Sequence, residues 1–163
     1  MKVEEICIRA VKSCSRTTTL AEAGRLMRDA DCGALPVVDE TGRLVGIITE
    51  RDVALSVGTR PRHPREIGVR EVIPPLVFSC QLDDEVRDAL RTLRTQKLHR
   101  LPVVDESGML QGILSLSDIA LAAKPDRIAG PDEVSYEDLV IALKAISRAS
   151  RAVDRPAVVV DAS

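Results

Sequence analysis

One hexapeptide occurs twice in this chain without change. Residues 35–40, Leu-Pro-Val-Val-Asp-Glu, return as residues 101–106, which lie 66 positions later. At the same shift, without gaps, further pairs of residues coincide, among them Gly42 with Gly108, Gly46 with Gly112, and Asp52 with Asp118. A unit of about 60 residues is marginal alone, because it buries only about 60% of its unfolded surface. The duplication therefore predicts two copies that pack against each other about a pseudo-two-fold axis, with a groove between them.

Composition limits the partners that such a chain can have. Aromatic residues make up 1% of it, so the core must consist of Val, Leu, Ile and Ala, and nucleic-acid recognition by aromatic stacking is not expected. A net charge of −2 argues against a general nucleic-acid or membrane-surface protein. No apolar run approaches the ~20 residues that span a bilayer. Glu4 and Glu5 lie near the N-terminus before any apolar stretch, so no signal peptide is expected. We therefore expect a cytoplasmic protein with no nucleic-acid or membrane partner.

Both copies predict the same order of elements. In the first copy, a short strand near residues 10–14 precedes a helix that begins after Thr19 and ends at Gly33. A hairpin of two strands over 34–38 and 43–48 follows, and a second helix completes the unit. The second copy repeats this order, with its first strand near residues 76–80. The pattern predicts two β-α-β-β-α units.

The predicted boundaries divide the chain into four parts. They are repeat 1 (1–57), a linker rich in Pro and Gly (58–68), repeat 2 (69–123) and a C-terminal extension (124–163). In the extension, Ser135 and Asp138 have the spacing of a capping box, and an apolar stripe predicts a helix over about 135–149. This helix is expected to pack either on the module or on a second subunit. A β-prone tail over 156–161 has no predicted partner.

Each predicted second helix begins with a hydroxyl residue, and an aspartate follows three positions later. The pairs are Thr49 with Asp52 and Ser115 with Asp118, and each follows a glycine within the preceding strand. Such a glycine costs stability and is tolerated where a ligand or another backbone comes close. One interpretation of the pairs is structural, because this spacing forms a capping box. The other is functional: a helix N-terminus attracts phosphate, and a nearby aspartate can accept hydrogen bonds from ribose hydroxyls.

Both copies read Leu-Pro-Val-Val-Asp-Glu-x-Gly-x-Leu-x-Gly-Ile before the hydroxyl residue and the aspartate. In this the chain resembles a stand-alone pair of cystathionine-β-synthase (CBS) domains over roughly residues 1–123. The resemblance implies an α+β fold of two β-α-β-β-α units packed sheet to sheet. It also implies a regulatory module, commonly a homodimer, that binds adenosine-containing ligands (AMP, ADP, ATP or S-adenosylmethionine) and acts on a partner protein. No required cofactor and no enzyme activity are expected.

The resemblance implies roles for particular residues. Four match directly: the ribose-binding aspartates Asp52 and Asp118 and the phosphate-side hydroxyls Thr49 and Ser115. Arg100 matches a position where basic residues face phosphates, and Arg51 is a second candidate for this role. Repeat 1 has Ala34 in place of Arg100, so the two sites are expected to differ. Adenine is expected near the first strands, and the remaining residues placed at the groove are Ser13, Cys14, Ser79, Cys80, Leu35, Pro36, His99, Leu101 and Pro102.

Two alternatives remain open at this point. In the first, the grooves are vestigial and the chain is a nucleotide-independent interaction or scaffold protein. In the second, the chain is a thiol-based redox or metal sensor that uses its four cysteines, which are Cys7, Cys14, Cys32 and Cys80. None of these forms a Cys-x-x-Cys pair, and reduced thiols that act as small apolar side chains are the expectation for a cytosolic core.

Overall fold

The two copies of the duplicated sequence form equivalent units, each with a three-stranded sheet and two helices. The structure is a computed structural model that describes residues 1–130 and 132–151, so the predicted tail at 156–161 lies outside the described residues. Repeat 1 contains β1 Cys14–Ser15, α1 Leu20–Asp29, β2 Ala34–Val38, β3 Leu44–Thr49 and α2 Glu50–Thr59. Repeat 2 contains β4 Cys80–Gln81, α3 Val86–Gln96, β5 Arg100–Val104, β6 Leu110–Ser115 and α4 Leu116–Ala122. Short 3-10 helices at Val3–Glu5 and Val69–Glu71 precede the repeats, and α5, Tyr136–Arg151, follows them.

Both sheets have the same topology and register. β1 is parallel to β2 and β2 is antiparallel to β3, and the order β4-β5-β6 repeats this arrangement. Pro36 lies opposite Ile47 in the first sheet, as Pro102 lies opposite Ile113 in the second. The predicted β-α-β-β-α order is confirmed. The predicted first strands near 10–14 and 76–80 are wrong in extent, because β1 and β4 each pair over two residues only.

Helix α1 ends earlier than the sequence predicts. Gly33 was the expected end, whereas the helix stops at Asp29. Asp31 adopts a left-handed φ of 48°, and the N–H of Cys32 donates to the carbonyl of Met27 (2.9 Å). Aspartate tolerates this conformation better than most residues, so it provides the helix stop that glycine was expected to provide.

A pseudo-two-fold axis relates the repeats through their hairpins. Arg43 and Met109 occupy equivalent positions and pair with each other in an isolated antiparallel bridge. Two reciprocal hydrogen bonds flank this pair: Leu44 N–H donates to Gly108 O (3.0 Å), and Leu110 N–H donates to Gly42 O (3.2 Å). Each bond maps onto the other at the shift of 66 residues. The axis therefore passes between Arg43 and Met109.

The segments that precede the repeats are exchanged between the two cores. Val3 N–H donates to Asp84 O (2.9 Å), and Val69 N–H donates to Thr18 O (2.8 Å). Val3 belongs to the core of repeat 2, whereas Val69 and Ile67 belong to the core of repeat 1. The predicted linker, 58–68, thus starts within α2 and ends in a hydrophobic core. Neither core is complete without the chain segment that leads into the other repeat.

Helix α5 packs against α3 and α4 of its own chain. Its inner face includes Leu139, Ala142 and Ile146, of which the last two are buried. The predicted capping box is present, because Ser135 N–H donates to Asp138 Oδ2 (3.1 Å) and Asp138 N–H donates to Ser135 Oγ (3.2 Å). None of the helices described above combines the length and the hydropathy that crossing a lipid bilayer requires.

One buried polar atom offers a test of the packing in repeat 1. The side chain of Ser56 on α2 is 5% exposed, and its hydroxyl has no hydrogen-bond partner among the described residues. The equivalent residue in repeat 2 is Ala122. An unpaired buried hydroxyl costs free energy, so we expect Ser56→Ala to raise the free energy of unfolding by about 1 kcal/mol. Urea unfolding at equilibrium measures the change, and a decrease would contradict the prediction.

Candidate functional site

Both predicted capping boxes are present, with equivalent geometry. In repeat 1, Asp52 Oδ2 accepts hydrogen bonds from the Thr49 N–H (2.9 Å) and hydroxyl (2.6 Å), and Asp52 N–H donates to Thr49 Oγ1 (3.2 Å). In repeat 2, Asp118 Oδ2 accepts from the Ser115 N–H (2.8 Å) and hydroxyl (2.6 Å), and Asp118 N–H donates to Ser115 Oγ (3.3 Å). The structural interpretation of these pairs is therefore confirmed.

The boxes hold each carboxylate through one oxygen only. Every hydrogen bond that the carboxylates of Asp52 and Asp118 accept goes to Oδ2, and no group in the described part of the chain bonds to either Oδ1. Both side chains are half-buried. A carboxylate can accept several hydrogen bonds, so one that its own backbone fixes in place can still accept bonds from a ligand. The capping role and a binding role are compatible.

The backbone N–H groups at these helix starts are less available than the sequence predicts. Leu116 N–H donates to the carbonyl of His99 (3.0 Å), and Glu50 N–H donates to the carbonyl of Gly33 (3.1 Å). The capping boxes use further N–H groups in the same turns. Phosphate attraction by a helix terminus depends on unpaired N–H groups. Positive charge for an anionic ligand must therefore come mainly from side chains.

The two repeats enclose a cleft of about 490 Å³ beside Asp118, and we name it the Asp118 cleft. Its volume lies in the range of small-molecule binding sites. Five predicted groove residues line it: Ala34, His99, Arg100, Ser115 and Asp118. The other lining residues, which the sequence analysis did not place at the groove, are Ile8, Ala10, Val11, Lys12, Ala30, Asp31, Cys32, Gly33, Ile113, Leu116 and Ser117.

One wall of the Asp118 cleft is a backbone segment that adds to the edge of the second sheet. Ile8 and Ile113 exchange both hydrogen bonds of an antiparallel bridge, at 2.9 and 3.0 Å. A Cβ on Gly112 would lie 2.6 Å from the carbonyl oxygen of Ile8. The close approach expected at this strand glycine is therefore present, and the approaching group is backbone. At the shift of 66 residues, segment 8–12 has one identity with its counterpart, Val11 with Val77.

Two cationic side chains line the Asp118 cleft without ion-pair partners. Within residues 1–130 and 132–151, neither Lys12 nor Arg100 has a carboxylate within 4.0 Å. The guanidinium of Arg100 passes close to the backbone of Gly33, where an added Cβ would lie 3.6 Å from Nη2. Asp31 and Asp118 supply the negative charge of the same cleft. The cleft thus has separate acceptors for hydroxyl groups and donors for an anion.

The surroundings of Asp52 differ from those of Asp118. The counterpart of Ile8 is Pro74, which has no N–H and cannot form the same bridge to the strand edge. The counterpart of Lys12 is Phe78, which packs against the core of repeat 2. Asp52 lines none of the clefts described for this chain. The pseudo-symmetry of the fold is therefore broken at its two candidate sites.

The other predicted site residues lie outside the Asp118 cleft. Six of them are buried: Cys14, Leu35, Pro36, Cys80, Leu101 and Pro102. Arg51 is exposed on α2, Ser13 is half-buried before β1, and Ser79 is exposed before β4. The position expected for adenine, near residues 13–14 and 79–80, stays a prediction. Of the segments before the first strands, the one that lines the cleft is 8–12.

The cysteines are in surroundings that suppress thiol chemistry. Burial raises the pKa of the Cys14 thiol to about 11 and that of the Cys80 thiol to about 12. Burial also raises the pKa of Cys7. The thiolate is the reactive and metal-binding form, and all four thiols are free. In the described part of the chain, no group of three His, Cys, Asp or Glu side chains could hold a metal ion. The redox or metal alternative has no support from this geometry.

We expect Cys14 and Cys80 to be alkylated at pH 8 on the order of a hundredfold more slowly than a thiol with an ordinary pKa. Because folding raises these pKa values above 9.0, their contribution to the free energy of unfolding is fully present below pH 9.0. It is lost as the pH rises through about 11 to 12. Mass spectrometry after timed iodoacetamide treatment measures each cysteine, with half-buried Cys32 as the internal comparison. In urea all four should react alike. Equal rates in the folded protein would contradict the prediction.

The family model of the CBS domain matches residues 3–58 and 69–124. An uncharacterized protein of Methanopyrus kandleri, MK0525, is 33% identical over 133 residues, which cover 82% of this chain and 67% of the relative. The solved CBS domain pair of protein MJ0100, in complex with 5′-methylthioadenosine and S-adenosyl-L-methionine, is 25% identical with a TM-score of 0.68, covering 74% of this chain and 94% of that chain. The structure of CBSX2 in complex with AMP is 25% identical with a TM-score of 0.63, and the shares covered are again 74% and 94%.

Proposed function

Because this chain belongs to the CBS domain family and contains two CBS domains, we propose that it is a regulatory module. We propose further that it binds one adenosine-containing nucleotide in the Asp118 cleft. The observation that carries the proposal is that one cleft combines Asp118 Oδ1, which has no hydrogen-bond partner among the described residues, with two cations that have no ion-pair partner among them. Similar CBS domain pairs are solved with AMP or with S-adenosyl-L-methionine. These ligands support the adenosine class for this chain.

Asp118 is the proposed ribose ligand. Its Oδ2 is fixed by the capping box, and its Oδ1 faces no donor among the described residues. Two vicinal hydroxyls of a ribose can donate to such a carboxylate, and hydrogen bonds to a charged group contribute about 1.5–3 kcal/mol each. Ser115 lies in the same turn and lines the same cleft. We expect it to contribute by holding Asp118 in place.

Arg100 and Lys12 are the proposed phosphate ligands. Both line the Asp118 cleft, and no carboxylate of the described residues lies within 4.0 Å of either of them. Charge-assisted hydrogen bonds from Arg or Lys to phosphate are stronger than neutral ones. A nucleotide with phosphate should therefore bind more tightly than adenosine. The apolar side chains of Ile8, Val11 and Ile113 supply the surface on which the base would pack.

Regulation follows from the position of this cleft between the repeats. Its lining combines residues 30–34 of repeat 1 with residues 113–118 of repeat 2 and the exchanged segment 8–12. A ligand that contacts all three favours the arrangement in which they fit it best, and it can shift that equilibrium only by its difference in affinity between states. We propose that a partner protein binds one arrangement of the repeats in preference to the other, so that the ligand regulates the partner and the chain itself catalyses no reaction.

Calorimetric titration of the full chain with AMP, ATP, S-adenosylmethionine and adenosine tests the proposal. Binding of at least one nucleotide with about one site per chain is expected, together with a rise in melting temperature. At a ligand concentration about 100 times Kd, the stabilisation amounts to about 2.7 kcal/mol. No heat and a flat melting temperature at millimolar concentrations of all four would reject it, and would favour the nucleotide-independent scaffold.

A further inference from the structure

The C-terminal helix α5 carries a second apolar stripe that no described part of its own chain covers. Tyr136, Val140 and Leu143 follow each other at spacings of four and three residues and are 47%, 44% and 41% exposed. The inner face, with Ala142 and Ile146, is already buried against α3 and α4. A spacing of four and three is the pattern by which one helix presents a continuous seam to another helix. The outer stripe therefore fits a helix.

The outer stripe is also shaped and charged for one kind of helix. A shallow groove of about 310 Å³ runs along it, lined by Val140, Leu143, Lys144, Ser147 and Arg148. Acidic residues, Glu137 among them, occupy the first turn of α5. Lys144 and Arg148 occupy the later turns, and neither forms an ion pair within the described residues. The helix thus runs from negative to positive along its exposed side.

A second copy of α5 in the antiparallel direction matches both properties. Its apolar stripe would cover the first one, with the two-fold axis near Val140. Glu137 of each copy would then lie near Lys144 of the other, because residues on the same flank of the seam meet in an antiparallel pair. A parallel pair would instead bring opposite flanks of the seam together, so Glu137 of one copy would not meet Lys144 of the other, and the two helix dipoles would align unfavourably.

We infer that the outer face of α5, centred on Val140, is a self-association surface on which two chains pair through antiparallel α5 helices. This surface lies outside the two CBS domains, and the inference does not depend on nucleotide binding. The stripe is flanked by Glu137 at one end and by Lys144 and Arg148 at the other, so an antiparallel copy of α5 matches both ends. A strongly acidic or strongly basic partner would match only one end.

Sedimentation velocity over a concentration series of the full chain tests the surface. We expect a dimer, and we expect Val140→Glu to raise its dissociation constant about thirtyfold or more. Leu55→Glu is the matched control, because Leu55 is an equally exposed apolar residue on α2, and it should leave the dissociation constant unchanged. A monomer at all concentrations, or a dimer that Leu55→Glu breaks and Val140→Glu spares, would overturn the inference.

Charge reversal tests the direction of pairing. Glu137→Lys and Lys144→Glu should each weaken the dimer, since each creates two like-charge contacts across the two-fold axis. The double variant should restore the wild-type dissociation constant. The two side chains lie about two helical turns apart within one chain, so a purely local effect would not produce rescue. Circular dichroism confirms that each variant is folded, and additive weakening in the double variant would reject antiparallel pairing.

Discussion

Replacement of Asp118 by asparagine should raise the Kd for AMP by a factor on the order of ten to a hundred. Asparagine keeps the size of the side chain and an acceptor oxygen for the capping box, so the fold should survive. It removes the negative charge and turns one oxygen into a donor group, which cannot accept from a ribose hydroxyl. Isothermal titration of the full chain with AMP measures the change.

Asp52→Asn is the matched control for this experiment, because Asp52 has the same capping box at the equivalent position. It removes the same charge from the same local structure, but from surroundings that have Pro74 and Phe78 where the Asp118 cleft has Ile8 and Lys12. We expect it to leave the Kd within about twofold. Equal losses in both variants would contradict the single-site proposal, and no loss in either would reject carboxylate binding of ribose.

The second large effect is expected at a glycine. Gly112→Ala should lower the free energy of unfolding by about 2–3 kcal/mol, because the new Cβ would lie 2.6 Å from the carbonyl oxygen of Ile8. That oxygen is backbone, and it is held in the bridge with Ile113. Relief of the clash requires the segment 8–12 to move away from the sheet edge. AMP binding should weaken at the same time, since this segment is a wall of the Asp118 cleft.

Gly46→Ala provides the comparison at the pseudo-symmetric position. There the new Cβ would meet the terminal Cδ1 of Ile73 at 2.8 Å, which is a side-chain atom that can rotate away. We expect a loss of about 1 kcal/mol or less, with AMP binding unaffected. Urea unfolding of both variants gives the two values. A larger loss for Gly46→Ala than for Gly112→Ala would show that the exchanged segment is not held as the structure describes.

Much of the fold could be predicted from the duplicated sequence, because its determinants are local. The turn glycines, the apolar runs and the capping pairs fix strands, hairpins and helix starts within a few residues of themselves. The end of α1 at Asp29 was missed because the left-handed aspartate that follows it, Asp31, has a weaker sequence signal than glycine.

Part of the candidate site could not be predicted in the same way. Asp118, Ser115 and Arg100 were found because they recur at a fixed place in a local pattern. Lys12 and Asp31 were missed, because they approach the cleft from chain segments that are distant in sequence. The position expected for adenine, near residues 13–14 and 79–80, stays a prediction, and the side chains of Cys14 and Cys80 are buried there.

The sequence by itself determined that this chain contains two equivalent units, each with an aspartate held at a helix start by a neighbouring hydroxyl. It could do so because repetition and capping are properties of residues close together along the chain. A difference between the two units was already expected from Ala34 in place of Arg100, but the backbone segment that lies beside Asp118 is seen only in the folded chain. The exchange of the segments around Val3 and Val69 places backbone beside Asp118. Pro74 cannot form the same bridge beside Asp52, because proline has no N–H. The lack of this N–H has a consequence only where a strand edge lies opposite, and the fold determines where that is.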